Sequence, residues 1–204
     1  MKGHPMIKEI RMDQIREKTL DLIVRNGSMD SVRTKDIANA IGASEATMFK
    51  YFDSKEDILE SVIKKYIQSR PLKFEIKKVS SIKDFEQSLH KILDFTFDIG
   101  DLRKNNVSLI IQTSLKKHPI SYWNYENLKN EVWSFLENRI EYGKKHWNFA
   151  KSIDSKIQSR LFYYAPIMFY IQMEIFDGKS IEKFDYEKVK KIHVKNFIKL
   201  LTKN

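Results

Sequence analysis

The sequence predicts an all-α protein with a small N-terminal helix-turn-helix head and a larger helical body. Three observations carry this expectation. Apolar residues recur at helical spacing through most of the 204 residues. No strand-like alternation persists. The stretch Thr34 to Phe52 reads as two short helices folded tightly about Gly42, a geometry suited to laying a helix in the major groove of DNA.

Taken in order, Ile7 to Asn26 forms an amphipathic helix with Ile15, Leu22 and Ile23 on one side, and Gly27 stops it. Thr34 is expected to cap the next helix, in which Ile37, Ala38 and Ile41 share an apolar face. Gly42 supplies the left-handed turn at no steric cost, and Ser44 caps the helix that follows. Met48, Phe49 and Phe52 are expected to pack inward, leaving Glu45, Ala46, Thr47, Lys50 and Tyr51 outside. Ser54, with Asp57 three residues on, starts a further helix over Ile58 to Gln68.

The body continues as helices. Pro71 to Ser81 leads into Asp84 to Ile99, striped by Phe85, Leu89, Ile92 and Leu93 and stopped by Gly100. Val107 to Lys117 is short and ends before Pro119; a long helix from about Tyr125 to Trp147 carries Leu128, Val132, Phe135, Leu136 and Ile140. Ile157 to Phe176 is apolar nearly all round, and Tyr186 to Leu201 is broadly striped. The expected division is a head over residues 1–54 and a body over 55–204, without repeats or low-complexity segments.

Composition excludes several classes of chemistry. At 42% hydrophobic, 12% aromatic and 31% charged residues, the chain has material for a core and a solvated surface, which argues against disorder. The absence of cysteine removes disulfides, thiolate zinc sites and thiol nucleophiles. The most apolar stretch, Leu161 to Ile171, falls short of the ~20 residues that span a bilayer, and no secretory leader precedes the first helix. A cytoplasmic protein without membrane contact is therefore expected. There is no Gly-rich phosphate loop, nucleophile elbow or H-E-x-x-H pair, and His4, His90, His118, His146 and His193 are scattered. Neither catalysis nor a metal or cofactor is expected.

The net charge of +10 is no argument for nucleic acid until it is located. Met1 to Lys55 holds ten basic against eight acidic residues, a net of +2, whereas the remainder holds 27 against 19, a net of +8. A solvated lysine-rich surface accounts for most of the excess, so DNA binding rests on the motif.

The ordered set Ile37-Ala38, Gly42, Ser44, Thr47, Phe49-Lys50-Tyr51-Phe52 and Ser54-Lys55-Glu56 resembles the DNA-binding head of TetR-family (TetR/AcrR-like) transcriptional regulators. The resemblance covers Ile7 to about Tyr66. It implies a homodimer that binds a palindromic double-stranded operator, acts as a repressor, and is released by a small lipophilic effector held in the body. It also implies roles: Thr34, Ser44, Tyr51 and Lys55 on phosphates, and Lys35, Glu45, Ala46, Thr47 and Lys50 within reach of bases. Two positions depart from the family pattern. Glu45 stands where a basic or neutral residue is frequent, and Phe49 replaces a frequent tyrosine. Glu45 has two readings, a first-turn carboxylate favoured by the helix dipole by ~0.3–1 kcal/mol, or an acceptor for cytosine N4.

For the body, Trp133, Phe162, Phe169 and Met173 either fill a core, as their spacing favours, or line the effector pocket that the resemblance implies. Pro166 frees the carbonyl of Phe162 and bends the helix. The last two helices hold more apolar surface than a small body hides. The resemblance implies that they meet a symmetry mate in a four-helix bundle, with Met168, Ile175, Val189, His193, Phe197 and Leu200 at the interface. Two other functions fit a helix-turn-helix. A non-specific architectural protein needs a basic face, which the +2 head lacks, and a protein-interaction module shows no salt-dependent DNA binding.

Overall fold

The computed structural model describes residues 5–68, 79–98 and 100–202. The expected segment Pro71 to Ser81 lies mostly outside them. Among the described residues there are helices and no strand: α1 (Pro5–Asn26), α2 (Thr34–Ala40), α3 (Glu45–Met48), α4 (Lys55–Gln68), α5 (Ile82–Thr96), α6 (Asp101–Leu115), α7 (Pro119–Leu128), α8 (Ser134–His146), α9 (Ser155–Tyr170) and α10 (Tyr186–Leu201). Lys129–Trp133 joins α7 to α8 as a π-helical turn, and Ile171–Ile175 extends α9 in the same way. No helix among the described residues is long and apolar enough to cross a membrane.

The chain divides into two compact units, Met1–Arg70 with Asn105–Ser121, and Pro71–Lys104 with Tyr122–Asn204. In the first, α1 packs on α2 and α4, and α2 on α3. Ile15, Val32, Ile37, Met48, Ile58 and Val62 are fully enclosed, and Phe52 nearly so. Ile15 and Ile23 of the expected α1 stripe are buried, but Leu22 is only half-buried and Leu20 takes its place. Gly27 and Gly42 have φ of +69° and +64°, the left-handed values their turn positions required.

Three local expectations are corrected. Arg33, in extended conformation, precedes α2 at the capping position, and no side chain caps that helix, so Thr34 is its first residue. Thr34 instead donates its hydroxyl to Glu45 Oε2. Phe49 is 39% exposed, because α3 stops at Met48 and the chain tightens into a turn that rotates Phe49 outward. The long body helix begins at Pro119, six residues early, since proline lacks the N–H that a first helical residue leaves unpaired.

In the second unit α5 packs on α9 and α10, and α8 on α9. Ser81 and Asp84 form a reciprocal capping box at the start of α5. The Ser81 hydroxyl, followed by Ser80, holds the Asp84 carboxyl below its usual range. Lys190 of α10 is 7% exposed and reaches Asp94 of α5 at 2.6 Å and Glu187 at 2.5 Å, so its buried charge is paired twice.

Candidate functional site

The outer face of the helix-turn-helix is built by two caps and one cross-helix hydrogen bond. Ser44, extended before α3, accepts from Thr47 N at 3.1 Å, and its hydroxyl lies 2.9 Å from that of Thr47. Ser54 accepts from Asp57 N at 3.0 Å while Asp57 accepts from Asp53 N at 3.1 Å, which fixes the start of α4 and hence Lys55. Lys35, Ser44, Ala46 and Lys50 are exposed; Thr34, Glu45, Thr47, Tyr51 and Lys55 are half-buried. All nine therefore present surface on one compact unit. The bond from Thr34 to Glu45 joins a hydroxyl expected on phosphate to the one carboxylate of this set.

Residues that sequence reasoning missed tie the loop between α1 and α2 to the C-terminal end of α6. Gln112 donates to Gly27 O at 3.4 Å and accepts from Met29 N at 3.2 Å, and Lys116 pairs with Asp30. The Lys116 ammonium, then Lys55, holds the Asp30 carboxyl below its usual range. These partners lie more than 80 residues apart, and no local pattern announces them.

The four aromatic and methionine candidates of the body lie in separate clusters. Trp133 touches Tyr125, Tyr163 and Tyr164. Phe162 lies against His193 and Phe197. Phe169 meets Phe97, Phe184 and Tyr186. Met173 adjoins Gly178, where an added Cβ would meet Met173 Cε at 2.8 Å. Near it Glu174, 6% exposed, pairs with Lys179 at 2.6 Å and accepts from the Tyr186 hydroxyl at 2.7 Å. Burial works against that carboxylate, but its two partners hold it ionised.

His193 has a place that the sequence did not indicate. Pro166 removes the N–H that would serve the carbonyl of Phe162, and His193 Nε2 on α10 lies 2.9 Å from that oxygen. Only a protonated Nε2 can satisfy it, which fixes the tautomer. Burial lowers the imidazole's proton affinity, and the carbonyl bond partly opposes this. A folded-state value below the ordinary ~6.5 means stability is full above that pH and falls as acid takes the solution down through the depressed folded value. His193→Phe is expected to cost about 1–3 kcal/mol, the penalty of an orphaned buried carbonyl, and to flatten that acid limb. Thermal melts at pH 5 and pH 7.5 check both; unchanged melting would remove the bond from the fold's stability.

Of the dimer candidates, Met168 and Leu200 are 54% and 43% exposed, while Phe197 is 5% exposed within its own chain. Ile175, Val189 and His193 are half-buried. The open apolar surface on α9 is a stripe of Ile157, Leu161, Tyr164 and Met168, with Ile192 and Leu200 exposed on α10.

A helix-turn-helix head on an all-helical body is the architecture of a DNA-binding transcriptional regulator. The sequence model described as bacterial regulatory proteins, tetR family, matches residues 15–62. Solved structures of the same fold include NalD of Pseudomonas aeruginosa, the secondary repressor of the MexAB-OprM multidrug efflux pump (11% identity, 97% of this chain and 99% of that chain, TM-score 0.71). They also include the FadR regulator of Bacillus subtilis in complex with stearoyl-CoA (18%, 92% and 97%, TM-score 0.67). A third is a transcriptional regulator from Saccharomonospora viridis in complex with choline (22%, 94% and 96%, TM-score 0.68). No match in sequence is found among the curated proteins. Residues 15–62 thus match the DNA-binding segment of the tetR family, and the chain as a whole shares the fold of these solved regulators.

Proposed function

We propose that this chain is a repressor that binds a palindromic operator as a homodimer in the cytoplasm and is released by a small lipophilic effector. In this division residues 1–54 read DNA, and residues 55–204 hold the effector and the dimer contacts. The observation that carries the reading is the exposed face of Lys35, Ser44, Ala46 and Lys50 on a capped helix-turn-helix. Thr34, Ser44, Tyr51 and Lys55 anchor phosphates, and Lys35, Ala46, Thr47 and Lys50 meet bases. The repressor NalD and the ligand-bound regulators of the same fold support the regulatory half of the proposal.

The test is a salt series with selected operator and random duplexes. Lys55→Ala is expected to weaken both and to reduce the salt slope by about one; an unchanged slope and affinity take Lys55 out of the interface. Glu45 behaves differently from the other eight, because its carboxylate accepts from Thr34 and must give up that bond for Thr34 to donate to a phosphate. Glu45→Gln is therefore expected to tighten binding to all duplexes about threefold to tenfold, with site preference unchanged. A changed preference at one symmetric position would instead assign Glu45 to base reading.

The homodimer rests on the open stripe of α9 and its neighbours on α10. Paired half-sites about one helical turn apart require such symmetry. An effector that weakens operator binding tenfold must itself bind the operator-bound dimer tenfold more weakly, a coupling of ~1.4 kcal/mol.

A further inference from the structure

Trp133 is wholly enclosed, yet its indole Nε1–H has no hydrogen-bond acceptor among the described residues. A buried donor left unpaired is costly, which is why such groups in folded proteins ordinarily find an oxygen. The ring is the last residue of the π-helical turn that joins α7 to α8, a widened turn of the kind that recurs at functional sites. Around it stand Tyr125 at 5.0 Å, Tyr164 at 5.5 Å and Tyr163 at 6.3 Å between ring centres. The Tyr125 and Trp133 rings meet at an interplanar angle of 66°, an edge-to-face arrangement. The Arg160 guanidinium lies over the indole at 4.9 Å from its centre and pairs with Glu137.

This cluster joins an unused N–H donor to a guanidinium that already serves the Glu137 carboxylate, Lys156 O at 3.1 Å and Ser159 Oγ at 3.0 Å, and the unused donor calls for an oxygen that the guanidinium can share. We propose that Trp133 and Arg160 bind the carboxylate of an apolar acid. The Trp133 N–H donates to one oxygen, and Arg160 turns from Glu137 towards the other. Tyr125 and Tyr164, 48% and 43% exposed, form the rim past which the apolar tail runs. Burial raises the Tyr164 hydroxyl's proton affinity, with Tyr125 and Tyr163 adding to it, so the Tyr164 hydroxyl stays neutral beside an anion. The inference rests on the effector reading for its biological role, but not for the binding itself.

The experiment titrates the full chain with decanoate, decanol and decyltrimethylammonium, which share a tail and differ in the head. Decanoate is expected to bind saturably, with decanol and the ammonium at least about tenfold weaker. Trp133→Phe keeps a ring under Arg160 and removes the N–H; it and Arg160→Gln are each expected to weaken decanoate about tenfold and to leave decanol unchanged. On the wild-type protein, the indole N–H resonance of Trp133, one of three tryptophans, should move downfield as decanoate saturates, a readout that needs no variant to fold. Equal binding of decanol, preference for the ammonium, absence of decanoate binding, or saturation with the Trp133 resonance unmoved would each overturn the proposal. Decanoate bound at Trp133 with unchanged operator affinity upholds the site and defeats only the effector role. A different ligand that releases operator without moving Trp133, in a protein that does not bind decanoate, does the reverse.

Discussion

Phe197→Asp is expected to unfold the C-terminal unit, not to release folded single chains. The family resemblance implies Phe197 at the intersubunit interface, but in the fold it is 5% exposed within its own chain and its ring centre lies 4.5 Å from that of Phe162. Truncating a buried phenylalanine costs about 3–5 kcal/mol, and placing an unpaired carboxylate in the same space adds the cost of desolvating it. That total approaches the whole stability of a domain, ~5–15 kcal/mol. Circular dichroism should show lost helix and a collapsed melting transition. A fully helical monomer with wild-type melting would instead place Phe197 in an intersubunit seam. The contrasting variant is Leu161→Glu combined with Met168→Glu, at positions 55% and 54% exposed in the single chain. It should keep the helix content and shift sedimentation from dimer to monomer at micromolar concentration; a wild type that sediments as monomer would refute the proposed α9–α10 interface.

The second large effect is expected at Gly143, inside α8. A Cβ there would lie 2.2 Å and 2.4 Å from Phe149 Cδ2 and Cε2, closer than any real contact. The Phe149 ring cannot easily yield. It is 3% exposed and packs on Phe85 at 6.2 Å and Trp147 at 5.7 Å. The Gly143 carbonyl also accepts from Trp147 N at 2.8 Å and Phe149 N at 3.1 Å, fixing the turn that carries both rings. Alanine would ordinarily gain up to ~1 kcal/mol over glycine in a helix. Overpacking of this severity costs about 1–3 kcal/mol or more, so Gly143→Ala should lower the melting temperature despite its better propensity. Adding Phe149→Leu should restore part of the loss, since the smaller side chain vacates the Cβ position. A Gly143→Ala protein that melts higher than wild type would show that the ring relocates freely.

Some features of this protein are local and were legible in the sequence. Gly27 and Gly42 mark left-handed turns because only glycine adopts them without a side-chain clash, and Ser44 caps because its oxygen reaches the N–H of Thr47 over a fixed short span. The span of α10, Tyr186 to Leu201, was legible in its broad apolar stripe, and the structure adds the Asp185 cap. Local rules stop at contacts between distant residues. Thr34 is a good cap by type, yet its hydroxyl serves Glu45, eleven positions away. Phe49 fits an inward helical spacing, but α3 spans only four residues, and the period no longer applies where the helix has ended.

The amino-acid sequence by itself determined the helical class and the turn-punctuated head, because periodicity, caps and glycines act through neighbours in the chain. Tertiary structure decided which apolar faces are spent inside one chain and which stay open. Phe197 and Met168 both lie on apolar stripes, but the first packs on Phe162 while the second is 54% exposed. It also decided that His193 lies against the carbonyl freed by Pro166, and that the Trp133 N–H has no acceptor among the described residues. Such pairings depend on where two helices far apart in sequence come to rest, and no spacing along a single helix encodes that.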